Sequence, residues 1–526
     1  MKYDIILFTD SIVSGWRMRS LGPYRLATEL RNHGYSVKVI DYCVNIFSDY
    51  PLVKSIITEL IGPNTLFVGF SGTHFFEPNA SPAEFSRANE YFTWGGRKES
   101  PYPGKQKRFE LICQLMKSIN TDVKIAYGGR WVGRTKLPRI IDYVVSGYSD
   151  TTIIELADHL KNKTPIKFTP GLYPNQKNIT HDIYATSFDF PNSYTRYQPE
   201  DHIRTGEVLY LETSRGCMFK CDFCSYPLIG RKSTDPKYHK EISILAKELK
   251  HNWDNFKINC YTIVDDTFNE STEKLQAIYQ AIKESGVPDF RFGAYLRLDL
   301  IARHPEQIQL LLDMGLNGAF FGIESLNDKS LKSIKKSMPA EEIKSFLIEL
   351  RKAWDNRVTI QTGVIIGLPH DTPETVNEWM KWFESSESPV NCYIVNYLTI
   401  YNIGNTAESE SSFLSHPEKY GYTLYEQRET EKLNVWTKHK RHWKNEHWNE
   451  KICADMSSKL MQRAVYSRRM CPGMFDLNGF LNLGYTFDYL YNRPSISIPR
   501  IETDKLMDQM YNTYITELCN YEGIPK

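Results

Sequence analysis

Three cysteines stand within eight residues, Cys217-Met-Phe-Lys-Cys221-Asp-Phe-Cys224, in a chain of 526 residues that has only ten. The spacing Cys-x3-Cys-x2-Cys on one loop lets all three sulfurs face a single compact inorganic centre. A structural zinc site closes with a fourth ligand, and the neighbourhood offers none. Cys260 and Cys392 fall in expected strands and His239 in an expected helix. Three protein ligands on a four-iron cluster leave one iron open, as a catalytic cluster requires. The loop reads as a reaction centre, with a zinc site or a chance grouping as the competing reading.

The elements that must position this loop form a βα series. Strand-like EVLYLETS, from Glu207, precedes the cysteines. Strands follow at 258–264, 290–297, 318–323, 357–367 and 392–400, separated by helices near 238–250, 271–285, 304–314, 341–354 and 373–385. In the helix at 341–354, Ile343, Phe346, Leu347, Leu350 and Trp354 keep one helical register. Six βα units over 207–405 make a partial parallel (β/α)6 barrel, whose reactive end is the carboxyl ends of its strands.

Upstream, apolar runs at 3–9, in VKVID, at 65–71, at 123–127 and at 143–146 alternate with helical segments. That pattern predicts an α/β, doubly wound, Rossmann-like domain over 1–165, with ligands at the strand ends where Gly128, Gly129 and Gly147 fall. An insertion at 77–106 lies on the same side, as a lid or a surface loop. Residues 166–206 read as a linker, and 406–526 as a mixed or helical C-terminal region that covers the barrel or the substrate pocket.

Lys plus Arg total 64 against 63 Asp plus Glu, so no global field recruits nucleic acid or an anionic membrane. No apolar run approaches the roughly 20 residues of a membrane-spanning helix, and MKYDIILFTD is too short and acidic for a signal peptide. A cytoplasmic location is the default expectation. Reduced cysteines that cluster there point to metal or catalysis rather than disulfides.

The cysteine motif, with Phe223 before its third thiol and a strand before its first, resembles the signature of radical S-adenosylmethionine (radical SAM) enzymes. The resemblance implies a 4Fe-4S cluster on Cys217, Cys221 and Cys224, S-adenosylmethionine on the open iron, Phe223 near the adenine, and a flavodoxin- or ferredoxin-type electron donor. FFGIES (Phe320 to Ser325) resembles the family's fourth-strand segment and makes Glu324 and Ser325 candidates for cofactor contacts. GVIIGLPHDTPE (Gly363 to Glu374) resembles the fifth-strand segment, which brings Gly367 close to the adenine, although His370-Asp371 replaces the more usual Gly-Glu. Arg297, after the third strand, is suited to the cofactor carboxylate, with a structural salt bridge as the alternative.

The first domain resembles those of radical SAM enzymes with a cobalamin-binding module. Asp10 and Gly15 hold the spacing of that family's Asp-x-His-x-x-Gly pattern, and Ile12 stands where the lower-face histidine belongs. Ile cannot ligate a metal. Either cobalamin binds without a histidine lower ligand, or the domain is a retained scaffold. With cobalamin the implied reaction is methyl transfer to an unactivated carbon of a small-molecule, lipid or peptide substrate. Without it, radical rearrangement, cyclisation or cleavage is the alternative, and a non-catalytic iron-sulfur or zinc protein is the opposing class. The tryptophan- and histidine-rich stretch 435–451 reads as a partly buried amphipathic helix, with a pocket wall second and a nucleic-acid surface third.

Overall fold

The computed structural model describes residues 2–10, 18–71, 105–129, 137–166, 169–174, 188–224, 226, 228–401, 411–425, 440–466, 473–492 and 500–525. Short apolar strands buried on both faces assemble the first sheet: β1 (Ile5–Phe8), β2 (Val37–Ile40), β3 (Phe67–Ser71), β4 (Lys124–Gly129), β5 (Tyr143–Ser146) and β6 (Leu172–Pro174). Their spatial order is β2-β1-β3-β4-β5-β6. All pairings are parallel except that of β6 with β5. Ile5 and Leu7 pack on one face with Leu30 and Ala157. Ile6 and Phe8 pack on the other with Val53, Ile56 and Met116. This is the expected doubly wound arrangement, and its ligand crevice opens at the carboxyl ends of β1 and β3, where the strand order reverses. Ile12, Gly15, His74 and nearly all of the insertion lie outside the described residues.

The second sheet runs β7 (Leu209–Leu211), β8 (Cys260–Ile263), β9 (Arg291–Leu296), β10 (Leu316–Glu324), β11 (Thr359–Ile366) and β12 (Cys392–Tyr397). It is parallel throughout, in sequential spatial order. Each strand alternates. Phe292, Ala294, Leu296, Phe321, Ile323, Val364 and Ile366 join the core beneath the outer helices, which turns Tyr295, Phe320 and Glu324 toward the barrel interior. The helices Thr272–Ser285, Glu306–Asp313, Ala340–Trp354 and Pro373–Glu384 fall where the periodicity places them, whereas the helix expected at 238–250 runs Ile242–Phe256 and leaves His239 in extended backbone bridged to Ser214.

Two segments differ from expectation. The described residues of 166–206 do not form a free linker: 172–174 add β6 to the first sheet, and 188–206 pack against both domains. Arg31 forks onto Asp201 with two bonds of 2.8 Å, and Tyr197 is buried with its carbonyl bonded to His251. In the stretch 435–451, Lys440–Lys444 is a strand rather than a helix. It lies in an antiparallel sheet between β13 (Ile400–Tyr401) and β14 (Thr423–Tyr425), and is β15. The helix begins at Glu450. Pairing on both edges and burial of Trp443 and Trp448 outweigh the local helical spacing. Their indole N–H groups donate to the carbonyls of Leu398 and Asp371. Residues 435–439 lie outside the described residues.

Two further helices of the C-terminal region pack on the barrel and on the first sheet. The helix Met474–Asn482 seals the amino-terminal mouth of the barrel, and Met474 occupies the space left by Gly293 and Gly318. The helix Arg500–Glu522 returns to the first sheet, where Glu522 meets the fully buried Lys38 of β2 at 2.8 Å and accepts a bond from Tyr3. Among the described residues, no helix is long and apolar enough to cross a membrane.

Removing one member of a buried ion pair leaves the other uncompensated. Glu522→Gln is therefore expected to destabilise by about 3–5 kcal/mol, read as a lowered thermal unfolding midpoint. The pair of substitutions Lys38→Met and Glu522→Leu should recover most of that loss.

Candidate functional site

The cysteine loop leaves β7 under the control of one buried carboxylate. Asp265, just after β8, accepts the backbone N–H groups of Thr213 and Ser214 at 2.7 and 3.0 Å and the Ser214 hydroxyl at 2.8 Å. Lys274 balances its charge at 2.9 Å. Gly216 follows with φ +76, and a Cβ there would lie 2.6 Å from Leu228, so only glycine fits this turn. The loop then closes on itself: Cys217 N–H donates to Leu228, Arg231 N–H to Cys217 and Gly230 N–H to Phe219.

The three thiols are half-buried, whereas the six other described cysteines are buried. Accessible thiols suit chemistry and buried ones suit packing. The Cys217 sulfur stands 3.1 Å from the Thr267 hydroxyl. Burial pushes the Cys217 thiol up and the Cys224 thiol up to about 12, so without a metal both are protonated at neutral pH, and coordination would remove those protons. Among the described residues, no three His, Cys, Asp or Glu side chains converge to hold a single ion.

Arg297 reaches the loop from the end of β9. Its Nη1 lies 3.7 Å from the Cys221 sulfur, its Nε and Nη2 grip Asp299 at 2.9 Å, and its guanidinium covers the Phe219 ring at 3.7 Å. The salt bridge and the placement beside the thiols exist together. Glu324 ends β10 with φ +71, a conformation rare outside glycine that concentrates at functional sites. It faces Lys336 at 3.5 Å, and burial raises its pKa. A Cβ on Gly322 would come within 2.4 Å of its Oε1, so that glycine makes the room Glu324 occupies. Phe223 is half-buried against the core.

Other expected contacts are turned to internal work. The buried Ser325 hydroxyl donates to Asp371 at 3.0 Å and accepts from Asn327 N–H. Gly367 has φ +96, and a Cβ there would strike Trp443 and Cys453. Its close neighbour is thus the C-terminal wall, and its carbonyl accepts the Tyr422 hydroxyl at 2.8 Å. In the first sheet, buried Asp10 follows β1, while Gly128 and Gly129 end β4. The space beside Gly128 is filled by the Val145 carbonyl, 2.9 Å from where a Cβ would stand.

The two strand-end edges are fastened together by residues that local pattern did not reveal. Arg215, two residues before Cys217, forks onto Asp150 of the first domain at 2.8 and 3.1 Å and onto Glu212 at 2.9 Å. Arg25 holds the same Asp150 at 3.0 Å. Burial opposes the charge on Asp150, but the two guanidinium groups hold its carboxyl below the usual range. The rings of Tyr148, Phe188 and Phe190 surround Arg215 at 4.7–4.8 Å. Asp222, inside the motif, is a second such anchor. Burial again opposes its charge, and bonds from Lys335, Ser412 and Tyr420 outweigh it and lower its pKa.

Burial raises the Asp371 carboxyl from 3.8 to about 6, against the bonds it receives from Asn327 and Ser325. The folded state binds this proton more tightly than the unfolded chain, so the group costs nothing below about pH 4 and costs most above about pH 6, roughly 3 kcal/mol. Asp371→Asn is expected to gain stability relative to the unsubstituted protein as pH rises from 4 to 6, with a constant difference above that. Unfolding midpoints of both proteins from pH 4 to 8 check this, and a pH-independent difference contradicts it.

A model of the Radical SAM superfamily matches residues 211–383. An uncharacterized methyltransferase of Pyrococcus horikoshii is 26% identical over 52% of this chain and 60% of its own length. The bacteriochlorophyllide d C-8(2)-methyltransferase of Chlorobaculum tepidum is 24% identical over 47% of this chain and 53% of its own. The chain thus spans only a little over half the length of these curated relatives. The radical SAM methyltransferase TsrM from Kitasatospora setae, solved with cobalamin and a [4Fe-4S] cluster, superposes with TM-score 0.63 at 15% identity, over 97% of this chain and 100% of that one. The cobalamin-dependent enzyme OxsB, with aqua-cobalamin and S-adenosylmethionine, gives TM-score 0.54 at 15% identity, over 80% and 56%. Residues 211–383, the cysteine loop included, thus match as a Radical SAM domain, and the chain, with its doubly wound domain ahead of the barrel, shares the fold of these two structures.

Proposed function

We propose that the chain is a radical SAM enzyme that transfers a methyl group to an unactivated carbon with the help of cobalamin. The observation that carries the reading is the set of three half-buried thiols on one loop at the carboxyl edge of six parallel strands. Cys217, Cys221 and Cys224 would hold three irons of a 4Fe-4S cluster. Such a cluster, when bound, supplies the electron that splits S-adenosylmethionine to a 5′-deoxyadenosyl radical.

The chain's own residues bind, orient and shield. Arg297 and Glu324 present opposite charges beside the cluster site, suited to the carboxylate and amino groups of the cofactor. Phe223 offers an aromatic face for the adenine. Met474 and the helix it begins seal the far mouth of the barrel. Closure of that mouth keeps water from reaching the reactive end through the barrel. In the first domain, the buried hydroxyls of Thr9 and Ser146, at the ends of β1 and β5, have no hydrogen-bond partner among the described residues. Donors of that kind at the edge beside Asp10, Gly128 and Gly129 suit a polar ligand such as cobalamin, which would supply the methyl carrier.

A second reading, adenosyl-radical rearrangement, cyclisation or cleavage without cobalamin, is favoured by Ile12 in the histidine position. In both readings the substrate is a small molecule, lipid or peptide and a flavodoxin- or ferredoxin-type donor supplies electrons.

Reconstitution with iron and sulfide under anaerobic conditions, followed by dithionite and S-adenosylmethionine, is expected to yield 5′-deoxyadenosine. Cys221→Ala should reduce the yield to background. Hydroxocobalamin should remain after desalting at near one per chain. A protein that keeps its cluster but no cobalamin supports the second reading, and one that forms no 5′-deoxyadenosine contradicts both.

A further inference from the structure

Between Cys221 and Phe223 the side chain of Asp222 is nearly inaccessible, and three donors from distant parts of the chain converge on it. Lys335 Nζ lies 2.5 Å away, the Ser412 hydroxyl lies 2.8 Å away, and the Tyr420 hydroxyl also donates. The Asp222 carbonyl accepts Phe413 N–H at 3.3 Å. Ser412, Phe413 and Tyr420 belong to the C-terminal region, while Lys335 follows the barrel helix Asp328–Ser333. The loop's own closure uses other bonds, those of Cys217, Gly230 and Arg231. Asp222 therefore carries a separate connection from the motif to the C-terminal region.

We infer that Asp222 is a positioning residue for the metal cluster: it ties the segment Ser411–Tyr420 to the cysteine loop, and with Lys335 it sets the cluster's reduction potential. The inference rests on the reading that Cys217, Cys221 and Cys224 hold a cluster. A fixed carboxylate on the residue next to Cys221 disfavours an electron added to the cluster, and the ammonium paired with it favours the electron. The nearly inaccessible carboxylate is weakly screened and has the larger effect, and the exposed ammonium has the smaller one. Lys335 reaches in from the surface with its side chain 60% exposed, so its removal alters charge with little loss of packing.

The two charges act in opposite directions, which separates this role from a purely structural one. The full chain is reconstituted anaerobically with iron and sulfide, iron is counted, and the reduced cluster is titrated by its electron paramagnetic resonance signal. Asp222→Asn is expected to raise the potential and Lys335→Met to lower it. Ser412→Ala combined with Tyr420→Phe keeps the carboxylate, and should lower the potential and speed iron loss to a chelator. Unchanged potentials, or shifts of one sign for Asp222→Asn and Lys335→Met, overturn the inference while leaving the cluster assignment intact. If Asp222→Asn fails to fold, an unchanged potential in Lys335→Met alone overturns it. An unsubstituted chain that takes up no iron and sulfide overturns the cluster reading, and the inference with it.

Discussion

Asp150 held between Arg25 and Arg215 is the interaction on which the geometry of the site depends. One carboxylate of the first sheet fixes, through Arg215, the residue that stands two places before the first thiol. A buried carboxylate bonded by two guanidinium groups has few alternative partners, and its desolvation is offset only in this arrangement. The carboxyl edges of the two sheets are thereby held at a set distance and angle. Any ligand in the first domain then has a defined relation to whatever the thiols hold.

The same physics recurs around the loop. Asp265 with Lys274, Arg231 with Glu270, Arg297 with Asp299 and Asp222 with Lys335 surround it with paired ions. The thiols must remain partly accessible, so the apolar burial that fixes an ordinary strand is unavailable to them. Directional bonds replace it, at the cost of desolvating charges. Glu324 adds backbone strain to this list, with a left-handed conformation that only a tightly determined neighbourhood sustains.

How much of this was legible in the sequence follows from the range of each interaction. The six barrel strands and their helices were readable because alternation and helical spacing are local. Phe292, Ala294 and Leu296 state their own face. The cysteine motif was readable for the same reason. Asp150 and Arg215 are 65 positions apart, and nothing in either neighbourhood marks the pair. Ser325 and Gly367 looked like open cofactor contacts because the sequence does not display Asp371 and Trp443 packed against them. The strand β15 does not show in the local spacing because Trp443 is placed by partners on both edges of the strand.

The helix Arg500–Glu522 gives the chain an unusual order of assembly. Lys38 emerges from the ribosome long before its charge partner Glu522. At about 5–20 residues per second, the 484 residues added from Lys38 to Glu522 (522 − 38) take roughly half a minute to a minute and a half to synthesise. Throughout that interval a lysine destined for complete burial has no counter-ion from the terminal helix. The first sheet can therefore reach its final packing only after the helix Arg500–Glu522 has been made, so this domain is completed later than the barrel that follows it in sequence.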